Sequence, residues 1–191
     1  DRKSFDNEIN FSKKFGSKGA FIRAEITANL NKRETDDYVK SETNIYGSNP
    51  DQIIRDQYSD GTSENKKLGS ELTYRLPILA NKLFLDVAYE YSNTKTKTSR
   101  NTFDFNQATT DFEYLNKTKR PSAELEFRNS KWSASAEVAH VDRTLENKDF
   151  LRPETNLIRD FNNLEYGFST RFRKSRSSSF RLRYTFWCFQ F

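Results

Sequence analysis

The chain of 191 residues has little of what stabilises most soluble domains. It contains one cysteine, no methionine, 6 glycines and 4 prolines, so an internal disulfide is excluded. No run approaches the roughly 18 apolar residues of a transmembrane helix, which excludes a helical membrane protein. Hydrophobic residues make up 34% of the sequence, below the roughly 45–50% of a typical soluble domain. A large conventional core is therefore not expected.

Aromatic residues are nevertheless abundant, with 17 Phe, 9 Tyr and 2 Trp. Because disordered chains are poor in aromatics, the polarity of the sequence does not indicate disorder. The formal net charge of +5 does not by itself imply a nucleic-acid partner. The first residue is Asp and methionine is absent, which suggests a processed or excerpted piece of a longer protein. The length is that of a single domain.

Apolar and polar residues alternate with a period of two along much of the chain. Ala20, Ile22 and Ala24, for example, alternate with Phe21 and Arg23. Such a pattern places one set of side chains on each face of a β-strand. The alternation predicts eight strands, within the segments 9–15, 20–30, 68–76, 83–91, 123–127, 132–138, 164–172 and 180–186.

Short and long connections take turns between these strands. Turn signals lie at 16–19, 77–82, 129–131 and 175–179, and they predict four tight hairpins. Between the hairpins, long polar loops are predicted at 34–65, 99–111 and 146–156. Compact soluble β-proteins usually have connections of a few residues.

This pattern predicts an all-β fold, an antiparallel up-and-down transmembrane β-barrel of about eight strands over residues 1–191. A strand in hydrocarbon needs a paired neighbour on each side, apolar residues towards lipid and aromatic girdles at the interfaces. A soluble antiparallel sheet, with one face on a core, would show the same alternation in each strand. The predicted girdle consists of Tyr74, Tyr89, Tyr91, Trp132, Tyr166, Tyr184 and Phe186.

The hairpin rhythm and segments such as 72–86 (LTYRLPILANKLFLD) resemble the barrel region of TonB-dependent outer-membrane receptors. The resemblance implies a bacterial outer-membrane location and uptake of a scarce extracellular ligand. In that family a larger barrel encloses a plug, and TonB transmits the proton-motive force. Since no plug or TonB box is visible here, the chain would be a fragment of such a barrel. Lipid, a plug and TonB would be its partners.

The aromatic residue at position 191 resembles the terminal assembly signal of outer-membrane barrels. Counting back by twos from Phe191 leads to Arg183, on the polar parity. Either a bulge switches the faces near Thr185, or Phe191 is only where the sequence ends.

The predicted loop 34–65 carries eight acidic against two basic residues. Its negative charge suggests contact with a cationic or metal-bearing ligand outside the membrane, although an ordinary solvated loop has the same composition. A calcium-binding EF-hand is excluded because the twelfth position from Asp56 is Lys67. The candidate ligand residues are Asp36, Asp37, Glu42, Asp51, Asp56 and Asp60.

Basic residues concentrate around the last hairpin, with Arg171, Arg173, Arg181 and Arg183 on the polar parity. They could dock an acidic plug surface or select anions in a pore. Alternatively, they form salt bridges with Glu124 or Glu137, or contact lipid headgroups. Nucleic-acid binding is disfavoured because the aromatic residues lie on the opposite parity.

No catalytic motif, cofactor site or metal site is recognisable. The single histidine, His140, follows the apolar parity, and Ser133 lies on the opposite face, so the two do not form a triad with Asp142. Cys188 is interpreted as a small apolar residue. We expect a non-enzymatic segment of an uptake receptor. The alternatives are a complete eight-stranded anchor or adhesin barrel and a soluble β-sheet binding module.

Overall fold

The computed structural model describes residues 1–46, 51–79, 81–103, 110–174 and 178–190. It is an all-β structure, and among the described residues Pro153–Thr155 forms a short 3₁₀ turn. No helix in the described ranges is long and apolar enough to cross a membrane. The strands are β1 (Arg2–Phe15), β2 (Ala20–Ile45), β3 (Asp51–Leu79), β4 (Leu83–Phe103), β5 (Thr110–Arg128), β6 (Trp132–Asp149), β7 (Leu157–Arg173) and β8 (Ser179–Gln190).

The strands form one antiparallel up-and-down sheet in the order β1 to β8. Each strand pairs with its neighbours in sequence, and over the described residues no ladder joins β1 to β8. The predicted all-β class, antiparallel topology and number of strands are confirmed.

The register brings residues of like polarity side by side across the sheet. Direct partners in an antiparallel ladder project from the same face. One row contains Ile22, Tyr74, Val87, Ala123, Val138, Tyr166 and Phe186. The row beside it contains Phe21, Arg75, Asp86, Glu124, Glu137, Gly167 and Thr185. We call the sheet surface that carries the first row the apolar face and the opposite surface the polar face.

The predicted long loop at 34–65 is wrong. β2 and β3 stay paired from Glu34 opposite Thr62 to Ile45 opposite Asp51, so most of this segment is a strand extension. The alternating apolar pattern ends near residue 30, but the Thr, Ser and Tyr residues beyond it suit β-structure. Polar composition alone does not distinguish a solvated strand from a loop, which is why the sequence pattern predicts a loop here.

The other long connections are also shorter than expected. β4 continues to Phe103 and β5 begins at Thr110. Of the predicted loop 146–156, only residues 150–156 lie outside strands. The carboxylate of Asp149 accepts backbone hydrogen bonds from Leu151 and Arg152 at 2.9 and 3.1 Å, which orders this connection.

The turns at 16–19 and 129–131 are confirmed. The predicted turn 77–82 is shorter than expected, because β3 runs to Leu79. In the last hairpin, β7 ends at Arg173 and β8 begins at Ser179, while residues 175–177 and Phe191 lie outside the described residues. The β7–β8 register shows no shift, so of the two alternatives for the C-terminal parity, the bulge near Thr185 is not formed.

Two strand prolines lie where the ladders are irregular. The β3–β4 register shifts between Pro77 and Leu79. The β5–β6 ladder passes from Lys119 opposite Asp142 to Ser122 opposite Ala139 and skips Pro121. Because proline has no N–H to donate, strand prolines are confined to edges and interruptions of this kind.

Burial in this sheet is opposite to that of a soluble sheet packed on a core. Phe84 is 5% exposed, whereas Leu72, Val87 and Phe168 on the apolar face are 49%, 46% and 44% exposed. No described part of the chain covers the apolar face. All buried residues in the described ranges belong to the polar face: Ser59, Gly69, Phe84, Thr102, Ala139 and Val141.

Gly69 provides a test of this register. It lies opposite Thr27, and a Cβ at position 69 would come within 2.5 Å of the Thr27 hydroxyl oxygen. Since threonine is stiff about χ1, we expect Gly69→Ala to lower the free energy of unfolding by about 1–3 kcal/mol. Urea unfolding in detergent micelles measures this change.

The matched control is Gly61→Ala, also on β3 and also opposite a threonine, Thr35. Its Cβ would lie 3.4 Å from the threonine hydroxyl, an ordinary contact, so we expect a change within about 0.5 kcal/mol. Adding Thr27→Ala to Gly69→Ala should restore stability. Equal effects of the two glycine substitutions would contradict the register.

Candidate functional site

The apolar face of β2 to β8 carries a band of mainly apolar side chains, most of them exposed or half-buried, which we call the apolar belt. On β1 the band is interrupted by Lys13, the direct partner of Ile22. On β4 it extends from Leu83 to Tyr91, and on β7 from Leu164 to Phe172. Each of these segments has nine residues, and about 9–11 residues of a tilted strand cross a bilayer. The belt therefore has the height of a membrane-spanning wall.

The upper edge of the belt, on the side away from the tight turns, crosses the strands obliquely. On β2, β3 and β4, the last apolar residue of each strand has a polar partner on the next strand. Leu30 lies opposite Lys66, Leu68 opposite Asn93, and Tyr91 opposite Lys119. From β2 to β5, the last apolar residue of each strand therefore lies two residues closer to the tight turns than that of the strand before it. From β5 to Leu164 on β7, the edge of the belt stays on the same ladder row.

Averaged over the five strand spacings from β2 to β7, the drop of six residues corresponds to a mean angle of about 40°, using about 3.4 Å per residue and about 4.8 Å between strands. Strands of transmembrane barrels tilt by roughly 35–45°. A band that is level in a membrane would cross the strands at this angle.

The structure places the residues of the predicted aromatic girdle on one face but at different levels. All seven residues lie on the apolar face. Trp132 packs on Phe172 near the turns, with ring centroids 4.7 Å apart, and Tyr91 lies at the upper edge. Tyr74, Tyr166 and Phe186, however, share a row in the middle of the belt. Sequence position alone did not reveal these levels because the belt is oblique.

The polar face near the turns contains a network centred on Arg75. Its guanidinium binds both carboxylate oxygens of Asp86 and reaches Glu126 at 2.9 Å. It also lies 5.0 and 5.1 Å from the ring centroids of Phe21 and Phe84. These cation–π contacts and ion pairs connect β2, β3, β4 and β5 across the polar face.

A second network joins β5, β6 and β7. Arg120 donates to Glu137 at 2.8 Å and to Glu165 at 3.2 Å, and all three side chains are roughly one-third exposed. Sequence analysis singled out neither Arg75 nor Arg120. Their alternation with apolar neighbours could have assigned their face, but their partners follow only from the register.

The predicted basic cluster is brought together. Arg171 lies directly opposite Arg181, and Arg183 lies opposite Ser169. The predicted salt bridges from this cluster to Glu124 or Glu137 do not form in the described structure, and Glu137 binds Arg120 instead. The Nε of Arg171 is buried without a hydrogen-bond partner. The cluster, including Arg173, is a concentration of positive charge at the turn end of β7 and β8.

The predicted acidic residues lie on paired strands and not in a loop. Asp36 is directly opposite Asp60, and Asp56 is opposite Lys40. Asp37 projects from the other face and forms an ion pair with Arg100 at 3.2 Å. The backbone of Asp51 pairs with Ile45. No group of acidic, histidine or cysteine side chains in the described ranges could hold a metal ion.

Aromatic side chains accompany the acidic residues on the apolar-face side of this extension. The ring of Tyr58 stacks on Phe103 with centroids 6.0 Å apart. The negative charge of Asp36 raises the pKa of Tyr58, and a hydrogen bond to Asp56 raises that of Tyr38. This surface is negative and aromatic, a composition that favours cationic ligands.

At the tip of the same hairpin, Glu42 connects the two strands. Its carboxylate accepts hydrogen bonds from the side-chain amides of Asn44 and Gln52 at 3.1 and 2.7 Å. These bonds lower the pKa of Glu42. Glu42 is therefore a structural contact of the hairpin tip.

His140 contacts Asp142 at 3.2 Å, and both side chains are exposed on the apolar face. Ser133 belongs to the polar face, opposite Arg171, so the separation predicted from the sequence is confirmed. Comparison with known proteins adds no identification, since the sequence matches no family model and no curated protein significantly.

Substitution of Arg120 tests the second network. Arg120→Gln would leave Glu137 and Glu165 without their shared cation, and we expect the free energy of unfolding to fall by about 1–2 kcal/mol at neutral pH. The triple variant Arg120→Gln, Glu137→Gln, Glu165→Gln should recover most of the loss. Urea unfolding in detergent micelles measures both changes.

The matched control is Arg128→Gln, which removes an arginine that is 50% exposed, forms an ion pair with one carboxylate, that of Glu126, and lies 5.5 Å from the centroid of the Phe84 ring. Exposed pairs contribute roughly 0–1 kcal/mol. A loss as large as that of Arg120→Gln would show that bridging three strands has no special effect.

Glu42 makes the hairpin tip sensitive to pH. The pKa of Glu42 is lowered in the folded state. Its contribution to the stability of the hairpin tip is therefore present above the unfolded pKa and is lost as the pH falls through the folded pKa. We expect amide-exchange protection of residues 42–46 and 51–54 to decrease in acid, after correction for intrinsic rates. In Glu42→Gln this acid-dependent loss should disappear, and its persistence there would contradict the role of Glu42.

Proposed function

We propose that the chain forms part of the wall of a β-barrel in a bacterial outer membrane. The observation that carries this proposal is the inverted burial, with an exposed apolar belt on one face and all buried residues on the other. Water would solvate the apolar belt poorly, whereas hydrocarbon solvates it well. The polar face, with its arginine–carboxylate networks, suits a barrel interior.

The belt geometry supports the same function. Its height of nine residues and its angle of about 40° to the ladder rows suit tilted strands in a bilayer. The tight turns lie at one end of the sheet and the extended β2–β3 hairpin lies at the other. Outer-membrane barrels have short periplasmic turns and longer extracellular segments.

Within this class, we propose a segment of an uptake receptor of the TonB-dependent type, without catalysis. The resemblance of segment 72–86 to such receptors supports this assignment. The negative aromatic surface around Tyr58 would lie outside the membrane, where it could meet a cationic or metal-bearing ligand. Arg171, Arg173, Arg181 and Arg183 form no ion pair with other described residues. They would face the interior near the periplasm, where an acidic plug surface could dock.

Two adjacent residues on opposite faces provide the test. Val87 lies in the middle of the apolar belt, and Val87→Arg should cost about 2–4 kcal/mol in a bilayer. Ala88 lies on the polar face beside a cavity of about 190 Å³ whose lining includes five carboxylates, so Ala88→Arg should be tolerated. Membrane insertion is measured by protease protection in lipid vesicles and by heat-modifiable gel migration.

The outcome separates the membrane wall from a soluble sheet. In a soluble module, Val87→Arg at an exposed site would change stability by about 0.5 kcal/mol or less. Equal insertion of the two variants would contradict the proposal. A chain that folds as a monomer in plain buffer would do the same.

A further inference from the structure

Lysines border the upper edge of the apolar belt. On the apolar face of β1, β2, β3, β4 and β5, the first charged residue beyond the belt is a lysine on every strand. On β6 and β7 the corresponding residue is Asp142 or Asp160. We call the five lysines the lysine collar: Lys3, Lys32, Lys66, Lys95 and Lys119.

The collar follows the oblique edge of the belt. Lys3 and Lys32 are direct partners. Lys66 lies opposite Leu30, and Lys119 lies opposite Tyr91, so both lie lower along the ladder than Lys32. Lys95 is the direct partner of Lys66, and Asn93 lies between Lys95 and the belt. If the belt is level in a membrane, the other four collar lysines are level with each other just outside the hydrocarbon, and Lys95 lies two residues farther out.

Three collar lysines form ion pairs with glutamates that are farther from the belt. The Nζ atoms of Lys32, Lys66 and Lys95 lie 2.6, 2.7 and 2.8 Å from carboxylate oxygens. Their partners are Glu34, Glu64 and Glu113, respectively. In each pair the ammonium is on the belt side, so the charge next to the belt is positive.

The three paired lysine side chains are 44–57% exposed. Lys3 and Lys119 form no ion pair with other described residues. Exposed ion pairs hold their members weakly. A lysine can also lay its four-carbon stem along an apolar surface while its ammonium reaches a polar layer. The collar is therefore free to meet charges supplied from outside the chain.

We propose that the lysine collar binds anionic headgroups of membrane lipids. The inference rests on the proposed membrane position of the belt and adds a specific ligand class to it. The positive charge is continuous with the belt, and the phosphate layer of a bilayer begins where hydrocarbon ends. Phosphate groups there would complement the ammonium groups of five consecutive strands.

The experiment uses the full chain in vesicles of phosphatidylcholine with a minor fraction of phosphatidylglycerol. Insertion is checked first by protease protection, independently of lipid choice. The phosphatidylglycerol retained per protein, relative to phosphatidylcholine, is then measured by native mass spectrometry. We expect the chain to retain phosphatidylglycerol preferentially, and higher salt to reduce this preference.

The collar variant combines Lys32→Gln, Lys66→Gln and Lys119→Gln, which should lower the preference by about five-fold or more. The control variant combines Lys14→Gln, Lys40→Gln and Lys67→Gln, with the same change in net charge. Lys14 and Lys67 belong to the polar face, and Lys40 lies far along the β2–β3 extension. The control should keep the preference of the unaltered chain.

The results separate the two proposals. An inserted chain without preference for phosphatidylglycerol, or an equal loss in both variants, would overturn the collar and leave the barrel wall standing. A chain that does not insert would overturn both. Loss in the collar variant alone, with insertion intact, would support the collar as a lipid-binding surface.

Discussion

The cross-strand register is the constraint on which the rest of the structure depends. Direct partners in an antiparallel ladder share a face, and a slip of one residue would move every side chain to the other face. Here the register of seven ladders collects Ile22, Tyr74 and Val87 on one surface and Arg75 and Asp86 on the other. The belt, the two ion networks and the collar all follow from this one arrangement.

The same register gives the sheet its inverted burial. The guanidinium groups of Arg75 and Arg128 lie over Phe84, so charged side chains bury an aromatic ring on the polar face. The apolar side chains on the other surface have no cover from the described chain. A sheet of this kind is stable where its apolar face meets hydrocarbon or a partner, since its own strands provide no second layer.

Sequence patterns predicted the strands and the faces well, because alternation with a period of two depends on local order alone. They failed for residues 34–45 and 51–65, where Thr, Ser and charged residues form strands without an apolar stripe. They also left Arg120 without a role, because its partners Glu137 and Glu165 are 17 and 45 residues away. The acidic residues near Asp36 were expected in one loop, but strand pairing separates Asp37 from them.

By itself the sequence determined the class of structure: eight strands, two faces of opposite polarity and tight turns at one end. These features require only the side-chain period of a strand and the turn residues between strands. Only the tertiary structure decided which residues of neighbouring strands are direct partners. That register sets the angle of the belt, the partners of Arg75 and Arg120, and the position of the lysine collar. These depend on pairing between distant segments, and alternation within one strand carries no information about its offset from the next.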